Sequence, residues 1–224
     1  MNDNTSAFCA EEYDQKIKMT IPFYEEIYRQ ITDIVNVCFS GSVDWLDVGC
    51  GTGKMAETAF AHVPSVDRFV LCDHSEKMLE TAGARLQSGK NTELWNCSIL
   101  DLDIIDQFHV VTAVQVLHYF QREDRLRAIQ KCYDALHENG IFVTFENFAP
   151  NSLTGREILL KRWESYQFSQ GKSPEECQEH IARYGKDYFP ITIKEHLEML
   201  EQCCFRASEV IWVSNMQVGL LGIK

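Results

Sequence analysis

No apolar run in this chain reaches the ~18 to 20 residues that a membrane span requires, so a spanning helix is excluded on length. Positive charge is also scarce. Lys and Arg number 21 against 33 Asp and Glu, a formal charge of −12. Such a surface repels a phosphate backbone unless a local basic patch overrides it. The densest basic clusters, Arg122/Arg125/Arg127/Lys131 and Lys161/Arg162, are mixed with acids, so nucleic acid is not the expected partner and a small molecule is. Met1 to Asp14 has neither the basic nor the apolar region of a secretory leader, and none is expected. The nine cysteines form no C-x-x-C pair, and most sit in apolar runs where Cys acts as a small hydrophobe. Reduced thiols in a cytoplasmic protein are expected. Adjacent Cys203-Cys204 has no further ligand at suitable spacing, so no metal is expected either. Repeats and low-complexity segments are absent, and 224 residues suffice for one α/β domain with a modest addition.

What is present is concentrated at Val43-Asp44-Trp45-Leu46-Asp47-Val48-Gly49-Cys50-Gly51-Thr52-Gly53-Lys54. An apolar run ends in an acid, three glycines alternate, and a helix-compatible segment follows: strand, tight turn, helix. Glycines at 49, 51 and 53 leave backbone N–H groups open to a ligand. A second apolar run, Phe69 to Cys72, ends in Asp73, placed to accept both hydroxyls of a ribose over the turn. A dinucleotide fingerprint counted from Gly49 needs glycine at 54, where Lys54 stands, which disfavours a nicotinamide-dependent oxidoreductase. A Walker A loop needs glycine at 48 and Ser or Thr at 55, and Val48 and Met55 stand there. The remaining pattern, D-x-G-x-G-x-G with a distant acid, resembles the S-adenosyl-L-methionine (SAM) site of the Rossmann-like methyltransferases.

Residues 1–10 read as disordered. A short helix or loop over Tyr13–Thr20 precedes a longer helix with Pro22 in its first turn, ending near Phe39. Strands are expected at 43–48, 68–72, 92–97, 108–114 and 141–146. Helices are expected over Lys54–Ala61, from an N-cap at Ser75 to Gln87, and from Glu123 to His137, where Asn139-Gly140 stops the last. Ser88 to Asn91 reads as a loop. After Phe148 the strand–helix rhythm breaks into two helical patterns, Arg156–Phe168 and Pro174–Tyr184. These form either a cap over the ligand side or a hairpin that enlarges the core. Thr192 caps a helix to Gln202, and strands 208–213 and 217–223 close the chain as a hairpin. The order implies an α/β, doubly wound, seven-stranded, mostly parallel sheet with an antiparallel C-terminal strand and a helical cap. Residues 1–40 form an N-terminal helical segment and 41–224 the binding domain, with the cap at about 149–190.

From about residue 13 to 224 the chain resembles a class I SAM-dependent methyltransferase, and Leu136 to Phe142 resembles that family's turn before strand five. Its layout, with Lys16 to Tyr24 and Asn215 to Lys224, is similar to the carboxy-SAM synthase branch of that fold. The resemblance implies cofactor contacts at Tyr24, Gly49, Cys50, Gly51, Asp73, His74, Ser98, Ile99 and Ala113, where the branch carries asparagine at the last position. It also implies an arginine gripping an extra carboxylate, but Met199 stands in the matching place, with Arg206 the nearest basic residue downstream. SAM as cofactor and ordinary methyl transfer to a small-molecule acceptor are therefore expected. A SAM-modifying enzyme of the carboxy-SAM type and a non-catalytic SAM-binding regulator stay open, as does a homodimer.

Gly53 completes the glycine turn, and Asp47 orders it. His74 packs on the adenine or starts a helix at the surface. Gln115 to Tyr119 occupies the loop near the transferred methyl. It lacks the acidic or Asn-Pro-Pro-aromatic sequence of amino-directed nucleic-acid methyltransferases. His118 is the histidine placed as general base, or one that packs under the helix and orients a backbone group. Tyr13 and Tyr24 close over SAM or belong to the core. Glu146 and Asn147 face the acceptor pocket.

Overall fold

A computed structural model of the chain describes residues 6, 8–86 and 91–224. The expectations for residues 1–5 and 7, and for Gln87 to Lys90, lie outside the described residues. The chain opens with α1 (Ala10–Thr20) and α2 (Tyr24–Cys38). In α2 the residues Ile27, Ile31 and Val35 recur at helical spacing and are fully buried. This helix begins two residues later than Pro22 suggests, because Phe23 adopts a left-handed backbone (φ 58°) and resets the chain direction.

Seven strands follow: β1 (Val43–Val48), β2 (Val66–Asp73), β3 (Thr92–Asn96), β4 (Phe108–Val114), β5 (Leu136–Asn147), β6 (Ala207–Ser214) and β7 (Gln217–Ile223). Their spatial order is β3-β2-β1-β4-β5-β7-β6, parallel except for β7, which runs antiparallel to both neighbours. The chain reverses its winding between β1 and β4, and that switch point opens a crevice at the strands' carboxyl ends. Between the strands run α3 (Lys54–His62), α4 (Glu76–Arg85) and α5 (Arg122–Ala135), with α8 (Ile193–Gln202) before the final hairpin. Residues of α2, α3 and α4 bury one face of the sheet, and residues of α5 and α8 bury the other. Ser75 caps α4 by accepting from the Met78 N–H, and Thr192 with Glu195 forms a capping box on α8.

A second element departs further from the sequence reading. The helix expected to run to His137 ends at Ala135, and Leu136 to Gly140 already belongs to β5. Asn139 does take a left-handed backbone (φ 65°), but it bulges a strand where it was expected to terminate a helix.

Residues 149–190 contain α6 (Leu153–Ser169) and α7 (Pro174–Ala182). Buried Trp163, Tyr188 and Met216 form a small core of their own beside the main sheet. Trp163 Nε1 donates to the Thr20 carbonyl at 2.7 Å, and the buried Lys172 ammonium donates to Thr20 Oγ1 and Gln167 Oε1. The two helices are thereby tied to the C-terminal end of α1.

Candidate functional site

The glycine turn leaves β1 with φ of 64° at Gly49 and 52° at Gly51, values that only glycine adopts freely. A Cβ at Gly49 would stand 2.4 Å from Val116 Cγ2, so this glycine lets the two loops of the switch point meet. A Cβ at Gly51 would meet nothing within 4 Å, so its backbone faces open space. Gly53 packs against Ala82 of α4, its missing Cβ being 2.9 Å from that methyl, and serves helix packing.

Asp73, at the end of β2, reaches across to this turn. Its Oδ2 accepts the Gly51 N–H and its Oδ1 accepts the Ser75 N–H, both at 2.9 Å. An ionised carboxylate offers about four acceptor positions, so roughly two remain for ligand hydroxyls. Below the turn, Trp45 Nε1 donates to Thr112 Oγ1, which donates to Asp47 Oδ1 at 2.7 Å. Asp47 is buried, and burial pushes its pKa up to about 7; the Asp73 charge adds to this and the Thr112 hydrogen bond opposes it.

That pKa sets a pH dependence. Between pH ~4 and ~7 the folded state keeps a proton that the unfolded carboxyl has lost, so stability falls as pH rises through this window. Asp47→Asn keeps an acceptor for Thr112 but cannot ionise. It should match the wild type near pH 4 and exceed it by an amount of order 4 kcal/mol above pH 7 in urea unfolding. A constant difference across pH would contradict this assignment.

Two contiguous clefts occupy the switch point. One, of about 270 Å³, is lined by Gly49, Asp73, His74, Cys97, Ser98, Ile99, Val116, Tyr119 and Phe120. The other, of about 70 Å³, adds Ser6, Tyr13, Gly51, Met78, Val114 and Gln115. The structure thus brings together Tyr13, Gly49, Gly51, Asp73, His74, Ser98, Ile99 and Gln115 from the sequence reading. The remaining cofactor candidates, Tyr24, Asp47, Cys50, Gly53 and Ala113, line neither cleft. Tyr24 is buried with its hydroxyl 2.7 Å from that of Tyr28, Cys50 is buried in the turn, and Ala113 is fully buried inside β4. Phe120 escaped the sequence reading; it ends the post-β4 loop, where no spacing marks it.

His118 sits in a 3₁₀ turn over Leu117–Tyr119 and is buried. Its Nδ1 lies 2.6 Å from Glu146 Oε2. Glu146, fully buried at the end of β5, is a hub. Its Oε1 accepts from the N–H groups of Val116 and Leu117 and from Thr144 Oγ1, while Oε2 also accepts the His118 N–H. Burial alone raises its pKa, but the charge and hydrogen bond of His118 and the Leu117 N–H outweigh this, and the net shift is downward. An ionised Glu146 only accepts, so Nδ1 of His118 donates to it.

His118 lines a third, small cavity of about 30 Å³ that shares Tyr13, Gln115 and Tyr119 with the second cleft and extends to His180 and Tyr188 in residues 149–190. Asn147 lines it too, but Glu146, expected to face the acceptor pocket, does not. Tyr188 Oη and His180 Nδ1 are buried here with no hydrogen-bond partner among the described residues. Met199, the place of the expected carboxylate-binding arginine, is fully buried in the core, and Arg206 lies beside Asn139 near the start of β5.

Comparison with known proteins agrees with this geometry. Residues 46–140 match a methyltransferase domain. The carboxy-S-adenosyl-L-methionine synthase of Nitratiruptor sp. is 27% identical over 218 residues, covering 96% of this chain and 90% of that protein. The Staphylococcus epidermidis synthase is 22% identical, covering 96% and 93%. A SAM-dependent methyltransferase structure from Thermotoga maritima superimposes with a TM-score of 0.62 at 17% identity, covering 96% of this chain and 95% of that one. Residues 46–140 thus match a methyltransferase domain, and the fold of the chain is that of the Rossmann-like methyltransferases. Along nearly its whole length it is homologous to the carboxy-SAM synthases, and the matched family and these relatives use S-adenosyl-L-methionine as cofactor. The residues fit that cofactor: an open backbone at Gly51, unused acceptor capacity on Asp73 and an adjoining cleft of suitable position.

Proposed function

We propose that the protein is a SAM-dependent methyltransferase acting on a small-molecule acceptor, with residues 149–190 as a cap over the acceptor. The observation that carries this reading is His118, held 2.6 Å from Glu146 and lining a cavity contiguous with the cofactor cleft. When bound, SAM supplies a methyl group already activated on a sulfonium. The chain's own residues supply position and a proton acceptor. The Gly51 backbone and Asp73 hold the cofactor's polar groups. His118 takes the proton of an acceptor O–H or N–H at Nε2, and Glu146 fixes the tautomer and stabilises the imidazolium that results. The cap and Tyr119 keep water from the small cavity.

Whole-chain likeness to the carboxy-SAM synthases favours a second reading, modification of SAM itself. The buried Met199 and the distant Arg206 support methyl transfer over it. His118→Gln, whose amide can still donate to Glu146, tests the base. The turnover number should fall by roughly 10²- to 10⁴-fold while S-adenosylhomocysteine affinity stays the same. Undiminished turnover would assign His118 to packing alone.

A further inference from the structure

At the end of the sheet opposite the cofactor, the starts of β1, β4 and β5 bring Asp44, His109 and His137 together. One ligand-type atom of each lies within 4.8 Å of the other two. The strand register produces this. Trp45 pairs with Val110, so Asp44 and His109 stand side by side, and His109 faces the bulge between Leu136 and Ile141 that carries His137. The bulge is rigidly shaped. A Cβ at Gly140 would lie 2.8 Å from the His137 carbonyl oxygen and 3.1 Å from that of His109, so only glycine fits.

Among the described residues, these three side chains are largely unspent. The Asp44 carboxylate accepts no hydrogen bond, and His109 Nδ1 lies 3.8 Å from its Oδ2. The His137 ring makes no hydrogen bond and packs edge-on against His109, with centroids 4.9 Å apart. His109 packs edge-on against Phe39 and uses Nδ1 to accept the Asp44 N–H at 3.1 Å. All three residues are half-buried, which leaves an ion a way in.

Two imidazoles and a carboxylate form a donor set for a borderline divalent ion. Zn–N and Zn–O bonds of about 2.0–2.2 Å put tetrahedral ligands about 3.4 Å apart, so the 3.8 Å pair closes by a few tenths and no pair by more than about 1.4 Å. We propose that Asp44, His109 and His137 form a Zn²⁺ site with water in the fourth position, cross-linking the starts of three adjacent strands. His109 binds through Nδ1, releasing the Asp44 amide, and the net charge of −12 favours cation uptake.

The test uses the full chain, stripped with chelator, in a Cys38→Ser/Cys204→Ser background that removes the two exposed thiols. Calorimetry with zinc chloride should show one equivalent bound and a raised melting temperature. Cobalt substitution should give ligand-field bands without thiolate charge transfer. Asp44→Asn and His137→Ala should each weaken zinc binding by more than the roughly 10- to 100-fold that loss of an outer-shell partner costs. S-adenosylhomocysteine binding by both variants should persist, showing that they fold. Absence of stoichiometric binding, a thiolate charge-transfer band, or undiminished affinity in both variants would overturn the assignment.

Discussion

Glu146→Ala should lower the unfolding free energy by about 3–5 kcal/mol and reduce turnover at least ~100-fold. The carboxylate is fully buried and accepts from three consecutive backbone N–H groups, at Val116, Leu117 and His118, and from Thr144. Its removal leaves those donors buried without an acceptor, each at a cost of about 1–3 kcal/mol before relaxation. It also frees His118 to rotate. Glu146→Gln separates the two effects. The amide oxygen can keep the Val116 and Leu117 bonds, so much of the stability returns, as urea unfolding would show. The amide NH₂ then faces His118 Nδ1, makes that nitrogen the acceptor and moves the imidazole proton to Nε2. A base thus becomes a donor, and activity should stay low although the fold recovers. Full activity in Glu146→Gln would show that the hub only packs.

Asp73→Ala should weaken SAM and S-adenosylhomocysteine binding by roughly 100-fold or more, read by calorimetry. Hydrogen bonds to a charged acceptor contribute about 1.5–3 kcal/mol each, and two acceptor positions remain for ligand hydroxyls. The substitution also strips the Gly51 and Ser75 N–H groups of their acceptor, so the turn and the start of α4 loosen together. Asp73→Asn keeps one oxygen, which can serve Gly51 or Ser75 but not both, and should fall between the two. Unchanged affinity in Asp73→Ala would remove this residue from the cofactor site.

Legibility in the sequence followed the range of the interactions. The strand at 43–48 and the glycine turn were readable because apolar periodicity, glycine and a terminal acid are local signals. The buried run 108–114 and the Thr192 helix cap were readable for the same reason. The role of Glu146 was not, since its partners at Val116 to His118 lie 28 to 30 residues away and are backbone groups that any sequence supplies. Tyr24 fits a helical aromatic stripe and a lid equally well; only the structure shows its hydroxyl turned to Tyr28. Asn139-Gly140 signals a left-handed backbone correctly, but that conformation ends helices and bulges strands alike. The Asp44, His109 and His137 cluster depends on two strand registers at once and has no sequence signature.

The most direct test of methyl transfer is product identification by mass spectrometry. The protein is incubated with SAM, first with a panel of small hydroxyl, amine and thiol acceptors and then with carboxylic acids alone. The account predicts S-adenosylhomocysteine in equal amount to a methylated acceptor, with both lost in His118→Gln. Conversion of SAM to a product heavier by one carboxylate, or SAM binding without turnover of any acceptor, would contradict it.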